Sequence, residues 1–464
     1  MSDSRRGFLK RAIIAGFPAI VPATVFGQSA PSNLIQVGQI GCGRIARSSE
    51  FPGMFRNSDV ARYVAVCDLD TVRIEDAKQT IESTYEKKLG STAKMKTFAN
   101  YREMLEDKSI DAVCISTPDH WHALPAMEAA LAGKDVYLQK PASLTIREGR
   151  QMADVLKKTG RILQIGSQQR SEVQFRYATE LVRNGRIGRL KEIFIGLPED
   201  PGGPVEVEMP APSNLNYDMW LGSTPNVFYT ENRVHPQVKD NIRKRYDRPG
   251  WLRCEQFGAG MITGWGAHHI DIAHWAMDLE HSGPREVLAT AQFPTKGLWD
   301  VHGPYHVKMT YPNSVDMYIS EKYPTGLKFI GEDGWIWVTR GRYQMSDTAA
   351  RNPALDASDL RILKSGIGPN EVHLHESPKN DHHLDWLTSI RTRKENASPA
   401  ETGHRSCSAC LVAHAGMKLG RKLTWDAAVE RFVNDEEANH MLGRPQRAKY
   451  GTDALVQRVL SSRI

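Results

Sequence analysis

Leu34-Ile35-Gln36-Val37-Gly38-Gln39-Ile40-Gly41-Cys42-Gly43-Arg44-Ile45-Ala46 is the stretch that decides the fold. Its first seven residues read as a buried strand, and the Gly-x-Gly-x-x-Ala that follows at once is a strand-to-helix turn able to cradle a dinucleotide. Gly41 permits the tight turn, Gly43 lets the backbone approach a pyrophosphate, and Ala46 allows the helix to pack closely on the strand. The helix N-terminus then faces the phosphates, which makes Arg44 and Ile45 candidate cofactor contacts beside the two glycines. Pro52, six residues past Ala46, predicts that this first helix is short or interrupted.

The next strand, Tyr63-Val64-Ala65-Val66-Cys67-Asp68, ends in a carboxylate 22 residues beyond Ala46. Asp68 can accept hydrogen bonds from both ribose hydroxyls of an adenosine, and its charge would repel a 2′-phosphate, so the cofactor expected is NAD, with NADP less favoured. Asp70 and Arg73 nearby pull against that preference. Strand and helix go on alternating at short intervals, the pattern of parallel strands joined by crossover helices. Asp111 to Ile115 leads into Ser116-Thr117-Pro118-Asp119-His120-Trp121-His122, Asp135 to Leu138 leads into Gln139-Lys140-Pro141, and Arg161 to Gly166 closes the sheet. Ligands of such sheets sit at the carboxyl ends of the strands, where residues 41–46, 68, 116–122 and 140 all fall.

After about residue 167 the pattern changes. A helix is expected near Val173 to Asn184, then the run Leu190 to Leu197, then a long stretch rich in Pro, Asn and Trp from Pro198 to Gly258 that its aromatics would order by packing. Runs at Glu286–Phe293, Val307–Tyr311, Leu327–Ile330 and Trp335–Thr339, separated by turn signals such as Pro312-Asn313 and Asp333-Gly334, predict a largely antiparallel sheet. The fold class expected is therefore α/β: an N-terminal doubly wound parallel sheet of the Rossmann type over residues 28–166, followed by an α+β domain with a largely antiparallel open sheet over 167–464.

Residues 1–27 are set apart from that fold. Arg5-Arg6 precede the apolar run Ala12–Phe26, which is 15 residues long, contains Pro18 and Pro22, and is shorter than the roughly 20 residues a membrane span needs. The segment resembles a twin-arginine signal peptide, which implies the twin-arginine export machinery as a partner, a periplasmic location, no stable membrane insertion, and a protein that folds with its cofactor before export. The whole chain has a formal charge of +6; residues 1–27 carry Arg5, Arg6, Lys10 and Arg11 against Asp3, so the remainder stands near +3. A chain so nearly neutral has no electrostatic footprint for nucleic acid, and the cluster Arg243, Lys244, Arg245, Arg248 reads as a solvated loop, with an anion contact as the other reading. Of the six cysteines, Cys42, Cys67 and Cys114 sit at buried strand ends and read as free thiols. Cys407 and Cys410 form a lone Cys-x-x-Cys without a second pair.

Four blocks together resemble the family of glucose-fructose oxidoreductase, inositol dehydrogenase and the rhizopine-catabolism oxidoreductases, abbreviated Gfo/Idh/MocA. They are the glycine turn with Asp68, the segment Thr117-Pro118 to His122, the dipeptide Lys140-Pro141, and Gly258 to Asp271, which contains Gly264-Trp265-Gly266-Ala267-His268-His269-Ile270-Asp271. The resemblance implies hydride transfer between NAD and a hydroxyl-bearing carbon, with Lys140 beside the nicotinamide and His268 as the catalytic histidine. It implies Ser116, Thr117, Pro118, His122 and Lys140 at the cofactor, His268 and Asp271 at the substrate, and a homo-oligomer. Two positions depart from the family pattern: Gln139 stands where an acid precedes the lysine, and Gly264 stands where the later block begins with an aspartate.

The residue types fit that chemistry. A histidine titrates near neutrality and can take the hydroxyl proton, while a lysine can stabilise the developing alkoxide. For substrate, the inventory includes Gln168, Gln169, Arg170, Tyr177, Trp220, His235, Trp251 and Arg253, aromatic faces and hydrogen-bonding groups that suit a carbohydrate or cyclic polyol; Arg170, Tyr177 and Arg253 are the contacts singled out. No metal is expected, since His268, His269, Asp271 and His274 include no histidine pair at the i, i+4 spacing of helical zinc ligands. Three functions follow: a sugar or polyol oxidoreductase, a glycosidase that uses a retained NAD for transient oxidation and elimination, and a sugar-binding protein of the same fold without catalysis.

Overall fold

The computed structural model describes residues 33–90, 94–238, 240–341, 354–364 and 366–461. The predicted export segment, residues 1–27, lies outside the described residues. Ile35–Ile40 forms β1 and Ala61–Cys67 forms β2, joined by the glycine turn. The helix between them carries an irregularity where Pro52 predicts one: a π-helical turn, Ala46–Glu50, runs directly into Phe51–Arg56, whose second residue is the proline. With β3 (Lys96–Phe98), β4 (Ala112–Ile115), β5 (Asp135–Leu138) and β6 (Leu163–Ile165), these strands make a six-stranded parallel sheet in the order β3-β2-β1-β4-β5-β6. That order reverses between β1 and β4, so the crevice for a dinucleotide opens above their carboxyl ends.

The crossover helices are locally specified. Asp70 caps Thr71–Leu89 by accepting from the backbone N–H groups of Val72 and Arg73, and Gly90 closes it in the left-handed region at φ 71°. Thr145 caps Ile146–Thr159 through the N–H of Glu148.

The second sheet has nine strands: β7 (Leu190–Gly196), β8 (Glu286–Ala291), β9 (Tyr305–Thr310), β10 (Asp316–Ser320), β11 (Gly326–Gly331), β12 (Trp335–Val338), β13 (Leu355–Ala357), β14 (Leu423–Asp426) and β15 (Arg431–Phe432). Their order is β13-β12-β11-β7-β10-β9-β8-β14-β15, and every pair is antiparallel except β7 with β10. The buried helices Gly266–Met277 and Ala400–Leu419 pack against each other, and Ala400–Leu419 also packs on β8.

Chain order and packing part company near the end. Helix His382–Thr392, capped by Asp381, returns to the nucleotide sheet and seats Trp386, Leu387 and Ile390 in the core that holds Phe51, Met54, Tyr63 and Tyr137. The stretch 198–258 is ordered as its aromatics predict: Leu215, Trp220, Tyr229, Val234, Cys254 and Phe257 form a separate small core. All six cysteines are free and buried. Among the described residues no helix is long and apolar enough to cross a membrane.

Candidate functional site

The carboxyl ends of β1, β2, β4 and β5 frame a cavity. Its walls include Gly41, Gly43, Arg44, Ile45, Asp68, Ser116, Thr117, Pro118, His122 and Lys140, so the structure brings together every residue expected at the cofactor. Gly41 takes φ 82°, donates its N–H to Cys67 O at 2.8 Å, and leaves no room for a side chain, since a Cβ would lie 2.7 Å from Ser116 O. At Gly43 a Cβ would meet only Arg73 Nη1, at 3.1 Å. Bare backbone therefore borders the cavity where a pyrophosphate must come close.

Asp68 is fixed at the mouth of this turn. Its Oδ2 accepts from Cys42 N at 2.7 Å and its Oδ1 from Asp70 N at 3.0 Å. Burial raises its pKa, against the pull of Arg73. Arg73, the residue that could have favoured an extra phosphate, donates from Nη2 to Arg245 O at 3.1 Å and lies 4.9 Å from the centre of the Tyr246 ring. The donor set thus fits NAD. Asp68→Ala removes charge-assisted bonds worth about 1.5–3 kcal/mol, so NAD affinity measured by calorimetry should fall roughly 10- to 100-fold.

The stretch 198–258 closes one side of the cavity with Met219, Trp220, His235, Pro249, Trp251 and Leu252. It is latched to the loop after β2 by Asp70, whose Oδ1 accepts from Asn214 Nδ2 at 2.8 Å and whose Oδ2 accepts from Gln237 Nε2 and faces His235 Nε2, both at 3.0 Å. Burial alone would raise the Asp70 carboxyl; hydrogen bonds from His235 and Gln237 hold it below its ordinary range instead. Arg245 pairs with Asp76. Arg243 and Lys244 are exposed, but Arg245 and Arg248 turn inward, which corrects the reading of this cluster as a solvated loop.

Lys140 stands at the end of β5 and donates from Nζ to Gly264 O at 2.6 Å, joining the nucleotide sheet to the one-turn helix Met261–Gly264. Burial pushes its pKa down to about 8, against the pull of Asp119, with Arg340, Arg44 and Arg248 adding repulsion. Asp119 also lines the cavity, and burial raises its carboxyl to about 7 against the pull of Lys140. Sequence reasoning passed over Asp119, although its place just past β4, at a strand's carboxyl end, was the available signal. Gln139 does not touch Lys140: it donates to Glu50 Oε1 at 2.6 Å, a fully buried carboxyl held up at about 7 by desolvation. Glu50 belongs to the π-helical turn, and the carboxyl that acts on Lys140 is Asp119.

A carboxyl raised from 3.8 to about 7 binds a proton in the folded protein that the unfolded chain has already lost, so its contribution to stability declines as pH rises through that interval. Asp119→Asn removes the dependence. In urea unfolding the variant should gain on the parent between pH of about 4 and about 7, with the gain level above that.

His268 lies on Gly266–Met277, one turn past Gly264, with its side chain buried and Nδ1 bonded to no protein atom. Burial, with Arg340 and Lys140, drives its pKa far down, so the ring is neutral. Gly264, not His268, forms the cavity wall at this point. His122 bridges two backbone carbonyls, with Nδ1 2.6 Å from Pro141 O and Nε2 2.9 Å from Thr117 O, and so ties the loops after β4 and β5 together.

The expected substrate contacts fare differently. Arg170 and Asp271 meet each other in a buried two-bond ion pair at 2.6 and 2.8 Å, and Arg170 also pairs with Glu280. Tyr177 donates to Leu363 O at 2.7 Å. None of these three lines the cavity. Arg253 lies 3.7 Å from Asp200 Oδ1, beside the lining residues Trp251 and Leu252. His269 stacks on Trp265, and His274 bonds Tyr311. Among the described residues no His, Cys, Asp or Glu cluster is arranged for a metal ion.

A parallel sheet in this strand order, with the glycine turn, Asp68 and Lys140 in one cavity, defines a dinucleotide-binding architecture. The chain belongs to the Gfo/Idh/MocA family: residues 35–167 match its model described as oxidoreductase family, NAD-binding Rossmann fold, and residues 356–452 match that of the C-terminal alpha/beta domain. It is 36% identical to the scyllo-inositol 2-dehydrogenase (NAD(+)) of Bacillus subtilis over 103 residues, which is 22% of this chain and 30% of that one. It is 32% identical to glycosyl hydrolase family 109 protein 2 of a Shewanella species over 145 residues, 31% of each chain. These matches span less than half the length of either relative. The fold is that of the WlbA dehydrogenase of Bordetella pertussis, solved in complex with NADH and UDP-GlcNAcA: TM-score 0.58 at 16% identity, covering 85% of this chain and 99% of the other.

Proposed function

We propose that the protein is an exported, self-associating NAD-dependent oxidoreductase that oxidises a hydroxyl of a sugar, glycoside or cyclic polyol. NAD, when bound, supplies the hydride acceptor. The single observation that carries the reading is Lys140, held by Gly264 O inside the same cavity as the glycine turn and Asp68. Its ammonium would lie against the substrate oxygen as negative charge develops there, the arrangement in which one fixed donor lowers a barrier by roughly 3 kcal/mol. Asp119, which lines the cavity and is raised towards neutrality, would exchange protons with Lys140, and His268, off the cavity wall one helical turn past Gly264, would have to turn towards the substrate to accept the hydroxyl proton as the family resemblance implies.

A second reading has a specific observation behind it. The stretch 198–258, latched on Asp70, lines the cofactor side of the cavity, and a retained NAD would suit a glycosidase in which a ring hydroxyl is oxidised, the neighbouring C–H proton and the glycosidic group are lost, water adds to the double bond left behind, and the hydride returns to the ketone. The similarity to the family 109 hydrolase supports it. Absorbance of reduced nicotinamide, followed while candidate sugars and aryl glycosides are added, separates the two. Lasting reduction supports dehydrogenation, released aglycone without lasting reduction supports elimination, and neither signal with NAD bound leaves a sugar-binding protein.

A further inference from the structure

Resting on the oxidoreductase reading, we infer that Asp119 does more than exchange protons with Lys140: it is the catalytic base, and the reacting hydroxyl lies between its carboxylate and the Lys140 ammonium. Most other proton acceptors on the cavity wall are already committed. Asp68 accepts from Cys42 N and Asp70 N. His122 faces Pro141 O and Thr117 O with its two ring nitrogens, His235 faces Asp70, and the Tyr101 hydroxyl donates to Glu128. Asp119 differs from all of these. Among the described residues no other residue donates to its carboxyl, which takes a hydrogen bond only from its own backbone N–H, although Asp119 is just 5% exposed. A carboxylate so buried needs a further donor, and the cavity that Asp119 lines is where one can arrive.

Lys140 sets the place of that donor. Its Nζ is fixed 2.6 Å from Gly264 O on the same wall, and it and Asp119 attract one another without forming an ion pair. The second domain comes up to Asp119 at Gly258, where a Cβ would lie 3.4 Å from Oδ2, and it lends the cavity no carboxylate of its own, since Gly264 has no side chain. An alcohol entering here would donate to Asp119 and accept from Lys140, whereas His268 is off the wall. A base must reach the proton it removes, and Asp119 is the one so placed. The step then balances. The carbinol C–H bond breaks and its electron pair passes with the hydrogen to NAD as hydride, the hydroxyl proton passes to Asp119, and the C=O forms beside a Lys140 that stays charged. The proton leaves Asp119 for solvent, exchanged through Lys140, as the ketone departs. Burial holds Asp119 up at about 7 and Lys140 down at about 8, with Arg340, Arg44 and Arg248 the further cations acting on the lysine, so carboxylate and ammonium coexist between those values.

The test mixes the full-length protein, loaded with NAD, rapidly with myo-inositol, D-glucose, D-galactose or methyl β-D-glucoside and follows reduced nicotinamide by absorbance. With the fastest of these probes, Asp119→Asn should reduce NAD at least about 100-fold more slowly than the parent and bind NAD as the parent does. The step needs the carboxylate, so the parent's rate should rise with pH through about 7, and the variant should lose that rise. In Asp119→Ala, added formate should raise the rate at least about tenfold, because a free carboxylate can take the vacated place, and chloride at the same ionic strength should not. His268→Gln should cost less than Asp119→Asn. A rate within about threefold of the parent in Asp119→Asn, a loss that formate leaves untouched, or a larger loss in His268→Gln overturns the inference. It is overturned equally if Asp119→Asn weakens NAD binding, which would assign the carboxyl to the cofactor. A parent protein that takes up no NAD, or holds it and reduces it with none of the probes, sinks the underlying oxidoreductase reading and this inference with it.

Discussion

Lys140→Ala should lower turnover roughly 100-fold while leaving the fold and NAD affinity intact. The loss follows from position: Lys140 is the cavity-lining cation fixed by a 2.6 Å bond to the second domain, and no neighbouring cation sits on Gly264 O in its place. Folding is spared because the truncated side chain faces the cavity rather than a packed core. Steady-state kinetics on the substrate identified by the nicotinamide assay, with a parallel NAD titration, measure both parts. Unchanged turnover would remove Lys140 from the chemistry. The pH profile adds a second reading: with Lys140 near 8, activity that needs its charged form declines above that pH, and it declines only much later if the lysine keeps its ordinary value.

Arg170→Ala should cost about 3–5 kcal/mol of stability, because it leaves Asp271 charged, buried and unpaired. The guanidinium is 2% exposed, with Asp271 bonded through both oxygens and Glu280 on the far side. Ser406 Oγ also donates to Asp271 Oδ1 at 2.6 Å, which ties helix Ala400–Leu419 to the same pair. Urea unfolding reads the loss. Replacing both partners together, Arg170→Met with Asp271→Leu, should recover much of it, since an apolar pair leaves no stranded charge. If Arg170 instead contacted substrate, its alanine variant would fold with near-parent stability and lose affinity for the sugar.

The contrast between these two residues shows what was legible in the sequence and why. The glycine turn and the place of Asp68 on the cavity wall could be read because the pattern is local: a strand, a turn and a helix within 13 residues dictate the geometry, and the carboxylate at the end of the next strand follows at a fixed distance. Pro52 announced the π-helical irregularity in the first helix for the same reason. Lys140 could be placed because it ends a strand whose carboxyl edge must face the crevice. Arg170 could not, since an arginine in a buried ion pair and one on a ligand look alike in sequence, and only the arrival of Asp271 from a helix a hundred residues later decides between them. Asp119 was missed on similar grounds: its interest lies in burial beside Lys140, a long-range fact. The return of Trp386 to the nucleotide core belongs with it. Short strands such as Lys96–Phe98 and Arg431–Phe432 lack enough residues to display a period.

Everything chemical here depends on where the reactive end of the cofactor lies. A crystal structure of the protein grown with NAD decides it most directly. The expected result is the pyrophosphate on the turn Gly41–Ala46, the adenosine ribose on Asp68, and the nicotinamide ring packed beside Lys140 and the Met261–Gly264 turn. A nicotinamide turned out of the cavity, or a ring whose reactive face lies away from Lys140 and the Met261–Gly264 turn, would contradict it.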